Sequence, residues 1–211
     1  MSAILNDISQ KLQEGKSKDV KALVEQAIAD GIGAKKILEE GLLPGMSIIG
    51  DKFKNNEVYV PEVLIAARAM KAGTDTLNPY LKAADVKPLG KVAIGTVKGD
   101  LHDIGKNLVK MMMEGKGIEC VDLGVNVTPE QFLAAVKDDG CQIVCCSALL
   151  TTTMGVMKDV VDIFVKEGLR DKVKIMIGGA PITDAYCKSI GADGYTADAA
   201  SAADLAVEYL K

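Results

Sequence analysis

The sequence has one histidine, no tryptophan and no long apolar run in its 211 residues. With a single imidazole, His102, there is no second histidine to serve as base for a cysteine or serine nucleophile. Cys141, Cys145 and Cys146 lack a second cysteine or histidine cluster at ligand spacing, which argues against a zinc site. A bilayer span needs roughly 20 apolar residues in a row, so no membrane segment is expected. The opening MSAILNDISQKLQEG has neither a basic leader nor an apolar core, which predicts a cytoplasmic protein. Its five cysteines are then expected as free thiols, with Cys145 and Cys146, inside IVCCSALL, filling core. Basic residues number 25 against 29 acidic ones and form no stripe, which argues against a nucleic-acid partner. Neither a G-x-G-x-x-G nor a P-loop lysine motif is present, which weakens a nucleotide-binding reading.

What is there divides in two by periodicity. From Ile4 to about Ala84 apolar residues recur at three and four, as in VKALVEQAIADG and VPEVLIAARAMKAGTDTL, which predicts four or five amphipathic helices. Gly15, Asp30-Gly31-Ile32-Gly33, Pro44 and Pro61 mark helix ends or starts. The polar stretch ADVKPLG, Ala84 to Gly90, reads as a linker. This gives a helical domain over 1–84, a linker over 85–90 and a second domain over 91–211.

In the second domain the pattern changes to short β-rich runs separated by helical stretches. The runs are Lys91 to Val97, Ile118 to Gly124, Ile143 to Leu150, Lys174 to Ala180 and Gly194 to Ala197. Thr128-Pro129-Glu130-Gln131 opens one intervening helix, with capping threonine, early proline and a glutamine at the capping-box position. This alternation predicts a doubly wound parallel sheet of five strands, flavodoxin-like or Rossmann-like, covered on both faces. Such sheets bind ligands outside the carboxyl ends of their strands.

That rule selects three segments: Gly99-Asp100-Leu101-His102-Asp103-Ile104-Gly105, Ser147 to Thr153, and Gly178-Gly179-Ala180-Pro181. Singly, each has an ordinary reading: a lone loop histidine, a threonine run capping a helix, a glycine pair making a tight turn. Together, Asp100-x-His102-x-x-Gly105 after a strand, then Ser147-x-Leu149, then Gly178-Gly179, resemble the three-part motif of the cobalamin-binding domains.

The resemblance implies a corrin on the carboxyl ends of the strands, with the cofactor's own base displaced and His102 as the lower axial ligand of cobalt. Asp100 would hold the other ring nitrogen, and Thr153 would supply the hydroxyl that bonds the aspartate, where methionine synthase has a serine. Gly99, Asp103, Ile104 and Gly105 would lie against the corrin. Ser147, Leu149, Thr151, Gly178, Gly179 and Ala180 would line the slot for the displaced nucleotide tail.

Leu42 to Met70 in turn resembles the helical cap of the small corrinoid methyl-carrier proteins of anaerobic methyltransferase systems for methanol, methylamines, methoxylated aromatics and quaternary amines. In that family Met46 and Met70 are suited to the upper face of the corrin, and equally to bundle core. The resemblance implies a methyl carrier not catalytic alone, served by a substrate-specific methyltransferase, a second methyltransferase passing the methyl to tetrahydrofolate or coenzyme M, and a reductive activase. The linker would act as a hinge. Two other readings stay open: a cobalamin-dependent regulator or photoreceptor, which the missing tryptophan and DNA-binding domain disfavour, and a doubly wound domain that binds no corrin.

Overall fold

The computed structural model of the protein describes residues 2–211. They form two compact units: a helical unit that runs to Pro88 and takes in Gly115–Gly117, and a sheet unit of Leu89–Glu114 and Ile118–Lys211.

The helical unit contains α1 (Ala3–Gln13), α2 (Ser17–Ala29), α3 (Ala34–Ile37), α4 (Leu43–Lys54) and α5 (Val60–Ala83). The helical periodicity is visible in what is hidden: Leu5, Ile8 and Leu12 on α1, Val20, Val24 and Ala27 on α2, Val63, Ala66, Met70 and Leu77 on α5. Each large side chain buried in this way stabilises the fold by about 2 kcal/mol over its exposed state.

Pro44 is not a helix boundary of the expected kind. A π-helical turn, Leu38–Leu42, joins α3 to α4 without a break, and the Leu43 N–H donates to Leu38 O, five residues back. Pro44 has no N–H to continue the regular ladder, and the widened turn places that missing donor where the register is already changing. Pro61 does begin a helix, at the first turn of α5.

The sheet unit alternates as predicted: β1 (Lys91–Val97), α6 (Ile104–Glu114), β2 (Glu119–Val127), α7 (Pro129–Asp138), β3 (Ile143–Ser147), α8 (Gly155–Lys166), β4 (Lys174–Gly178), α9 (Asp184–Ile190), β5 (Gly194–Tyr195) and α10 (Ala199–Tyr209). All pairings are parallel, in the order β2-β1-β3-β4-β5. The order reverses between β1 and β3, and the crevice at this switch point is where doubly wound sheets bind ligands. Phe132, Phe164, Val144 and Ile175 anchor the core on one side of the sheet. The capping-box reading of α7 is realised, with the Thr128 N–H donating to Gln131 Oε1 at 2.9 Å.

Four carboxyl ends of strands depart from expectation. β3, β4 and β5 stop at Ser147, Gly178 and Tyr195, each short of the end of its expected run, and β2 runs on past Gly124 to Val127. Among the described residues no helix is long and apolar enough to cross a membrane.

Candidate functional site

The carboxyl ends of β1 and β3 converge on one buried carboxylate. Asp100, fully shielded from solvent, sits just past β1. Its Oδ1 accepts from the His102 N–H at 3.1 Å and lies 2.7 Å from His102 Nδ1. Its Oδ2 accepts from the Leu149 N–H at 2.8 Å, the Leu150 N–H at 3.1 Å and the Thr153 hydroxyl at 3.0 Å. The amides come from the loop after β3, and Thr153 from the short 3-10 turn, Thr151–Thr153, before α8. Burial alone would raise the Asp100 carboxyl, but the bonds from the His102 side chain and amide and from the Leu149 and Leu150 amides outweigh it. The carboxyl is held well below the usual carboxylate range, so Asp100 is an anion at neutral pH.

The anion orients the histidine. With Nδ1 engaged, the ring presents Nε2 as its remaining ligand atom, and the His102 side chain is 53% exposed. The backbone is fixed as well, because the buried Thr96 hydroxyl donates to His102 O at 2.8 Å. The two loops that meet at Asp100 carry Leu101 and Ile104, 72% and 76% exposed, and Leu149 and Leu150, 44% and 41% exposed. Four large apolar side chains open to solvent in the loops that hold a half-exposed imidazole form the kind of patch that marks a ligand surface.

The glycines complete the surface. A Cβ at Gly105 or Gly178 would meet no atom within 4 Å, so both leave open space. Gly179 differs: at φ +132° its Cβ would stand 1.8 Å from Ala148 O, so only glycine lets the β4 turn pass this closely to the β3 turn. Ser147 and Ala180 flank these turns, Ser147 half-buried and Ala180 exposed, and Thr151 is exposed. Asp103 Oδ2 accepts from the Asn107 side-chain amide at 3.1 Å within the first turn of α6. Gly99 follows β1 at φ +87°. Met46 and Met70 belong to the helical unit, on α4 and α5, where both are buried.

No group of three metal-ligating side chains is found among the described residues. All five cysteines are free, and burial pushes the Cys120 thiol up to about 12 and Cys141 to about 11, which makes them poor nucleophiles.

Residues that the sequence did not single out also hold the site. Lys106, buried in α6, donates to Asp122 Oδ1 on β2 at 2.6 Å and to Asn107 Oδ1 at 2.7 Å; Lys110 donates to Asp122 Oδ2 at 3.1 Å. Burial works against it, but the bond from Lys106, with those from the Gly124 amide and Lys110, lowers the Asp122 carboxyl to about 2. Asn126 bonds the Gly99-Asp100 backbone. The available signals were a lysine at the start of an amphipathic helix and an asparagine two residues after a glycine in a β-rich run.

A half-exposed imidazole oriented by a buried anion, exposed apolar side chains in the same loops and a glycine-lined turn fit a flat, largely apolar macrocycle whose metal takes nitrogen. The comparisons with known proteins agree. One B12 binding domain model matches residues 90–204 and a second matches residues 4–78. Dimethylamine corrinoid protein 3 of Methanosarcina acetivorans is 37% identical over 210 residues, covering 100% of this chain and 98% of that protein. A chain in the crystal structure of the methanol:cobalamin methyltransferase complex from Methanosarcina barkeri superposes with a TM-score of 0.88 at 28% identity, over 98% of this chain and 79% of that one. A cobalamin-binding protein from Desulfitobacterium hafniense superposes with a TM-score of 0.80 at 30% identity, over 97% of this chain and 98% of that one. With its helical unit matching one B12 binding domain and its sheet unit the other, the chain belongs to the B12-binding corrinoid proteins.

Proposed function

We propose that the chain is the methyl carrier of a corrinoid-dependent methyltransferase system, with His102 Nε2 as lower axial ligand of the cobalt and the cofactor's own base displaced. The observation that carries this reading is the pairing of a fully buried, anionic Asp100 with a His102 ring that is half open to solvent. A structural histidine has no need of both features. The bound corrinoid supplies cobalt, which accepts and releases a methyl group. The chain's own residues do the rest: Asp100 fixes the ring and leaves Nε2 as the ligand atom, and Thr153 and the Leu149 and Leu150 amides hold Asp100 ionised. Leu101, Ile104 and Leu149 exclude water beneath the ligand, with Gly99, Asp103 and Gly105 at its edge. Ser147, Thr151, Gly178, Gly179 and Ala180 take the displaced tail, and Met46 and Met70 serve the opposite, methyl-bearing side.

The partners in this reading are a substrate-specific methyltransferase that loads the carrier, a second that unloads it to tetrahydrofolate or coenzyme M, and an activase that restores the reduced state. The names of the relatives support methylamines or methanol as the donor class. Residues 85–90 serve as a hinge between the units.

The test is the visible absorption spectrum of purified protein incubated with hydroxocobalamin, wild type beside His102→Ala. Retained corrin with a spectrum that changes on loss of the imidazole supports the reading. No retained corrin, or an unchanged spectrum, removes it.

A further inference from the structure

β2 is not a regular neighbour of β1. Ile94 pairs with Asp122, Gly95 with Gly124 and Val97 with Val127, so β2 carries two more residues than β1 over this stretch. The surplus makes a bulge that carries β2 up to the level of the loop after β1. At its crest, Asn126 adopts φ 56°, a left-handed conformation that asparagine tolerates better than most side chains. From there it reaches the histidine loop twice. Its Oδ1 accepts from the Gly99 N–H at 2.8 Å, and its own N–H donates to Asp100 O at 3.1 Å. The bulge is held from below, since the Gly124 N–H donates to Asp122 Oδ1 at 3.0 Å, and Asp122 also takes Lys106 and Lys110 from α6.

Oδ2 of Asp100 is tied to the loop after β3, and Oδ1 to the amide and ring of His102, so the carboxylate and the imidazole move together with the loop that carries them. Thr96 holds that loop at its far end, through His102 O. Where the loop leaves β1, at Gly99-Asp100, a further anchor comes from the neighbour strand β2.

We propose that Asn126 is that anchor: a positioning residue that clamps Gly99-Asp100 from β2 and so sets the tilt of the His102 ring. The inference rests on His102 being the cobalt ligand. Asn126 touches neither the ring nor any ligand atom, and it acts through the loop alone.

The experiment is electron paramagnetic resonance of the full chain loaded with hydroxocobalamin and reduced by titanium(III) citrate to the cobalt(II) form. The hyperfine splitting from one axial nitrogen reports the fraction of cobalt bearing imidazole. Four proteins are compared: wild type, His102→Ala, Asn126→Gly and Asn126→Asp. Glycine keeps the left-handed backbone and removes the side-chain acceptor; aspartate keeps both. Loss of one hydrogen bond of ordinary strength shifts an equilibrium about fivefold. Asn126→Gly is therefore expected to bind corrin and unfold near the wild-type temperature, with the imidazole-free population about fivefold higher, and Asn126→Asp to match wild type. An Asn126→Gly spectrum identical to wild type, while His102→Ala has lost its nitrogen splitting, overturns the clamp and leaves the carrier reading standing. So does an Asn126→Asp spectrum as altered as that of Asn126→Gly. Nitrogen splitting unchanged in His102→Ala overturns the ligand assignment itself.

Discussion

The two units hide different kinds of side chain. The helical unit buries leucine, isoleucine, valine, alanine and methionine, whereas all four buried polar or charged side chains among the described residues, Thr96, Asp100, Lys106 and Thr153, lie in the sheet unit. None of the four is without a partner: Thr96, Asp100 and Thr153 gather where β1 and β3 end, and Lys106 ties α6 to β2. An apolar core accepts exchanges of similar volume and specifies a shape. A buried polar network accepts almost none, since each acceptor faces particular donors, and it specifies an orientation. A metal ligand needs an orientation, so the difference supports the role proposed for His102.

The contrast can be broken most severely at Gly179. An alanine there meets the Ala148 carbonyl and keeps a left-handed φ, so Gly179→Ala is expected to cost roughly 3–5 kcal/mol in chemical denaturation. Gly178→Ala, one residue earlier and facing open space, should stay within about 0.5 kcal/mol. If the two variants were equally stable, the close passage of the β3 and β4 turns would not be a constraint.

A matched pair sharpens the contrast between units. Asp100→Ala strands three amides and a hydroxyl and is expected to lose about 3 kcal/mol. Leu77→Ala, in the helical core, is expected to lose a similar amount by leaving a cavity. Their corrin spectra should part company: Asp100→Ala loses the imidazole contribution, and Leu77→Ala keeps it. Equal spectra would mean that the polar network only stabilises the fold.

Legibility in the sequence follows the same division. Strand and helix order were readable because the periodicities change once along the chain, and the meeting of Asp100, His102 and Thr153 in one hydrogen-bonded cluster follows what the resemblance implied. The misses lie at the carboxyl ends and at the π turn. Leu149 and Leu150 look like strand by hydrophobicity, yet they leave β3 to turn their N–H groups onto Asp100 and their side chains outward. Gly124 looks like a strand end, yet it belongs to a bulge that delivers Asn126. In each case a local rule yields to the need to place a donor at the site. At Pro44 it yields to a continuous helix that absorbs the missing N–H in a wide turn.

Thr153 gives a smaller and cleaner cut. Thr153→Val removes one bond to a buried anion and should cost about 2 kcal/mol, while Thr153→Ser keeps the hydroxyl and should cost about 0.5 kcal/mol or less. Thermal unfolding of the two variants side by side separates loss of the hydroxyl from loss of the methyl group.

The smallest effect, and the one that compares the two units on equal terms, is acid sensitivity. Asp100 in the sheet unit and Glu14 in the helical unit both have depressed carboxyls, Glu14 near 2, but for different reasons. Glu14 owes its shift to ion pairs with Lys16 and Lys11 on the surface, and Asp100 to fixed hydrogen bonds that outweigh its burial. For either group the folded value lies below the unfolded one. Its contribution to stability is therefore complete above about pH 5 and is lost as pH falls below 4 toward the folded value. The stability gap between wild type and Asp100→Asn should be constant from pH 7 to 5 and narrow below 4. The gap for Glu14→Gln should narrow over the same range. In 1 M sodium chloride the Debye length is about 3 Å, which screens exposed pairs and leaves a dry network almost untouched. Salt should accordingly abolish the pH dependence due to Glu14 and spare that due to Asp100. A salt-sensitive gap at Asp100 would show that water reaches the carboxylate, and the orientation argument for His102 would lose its footing.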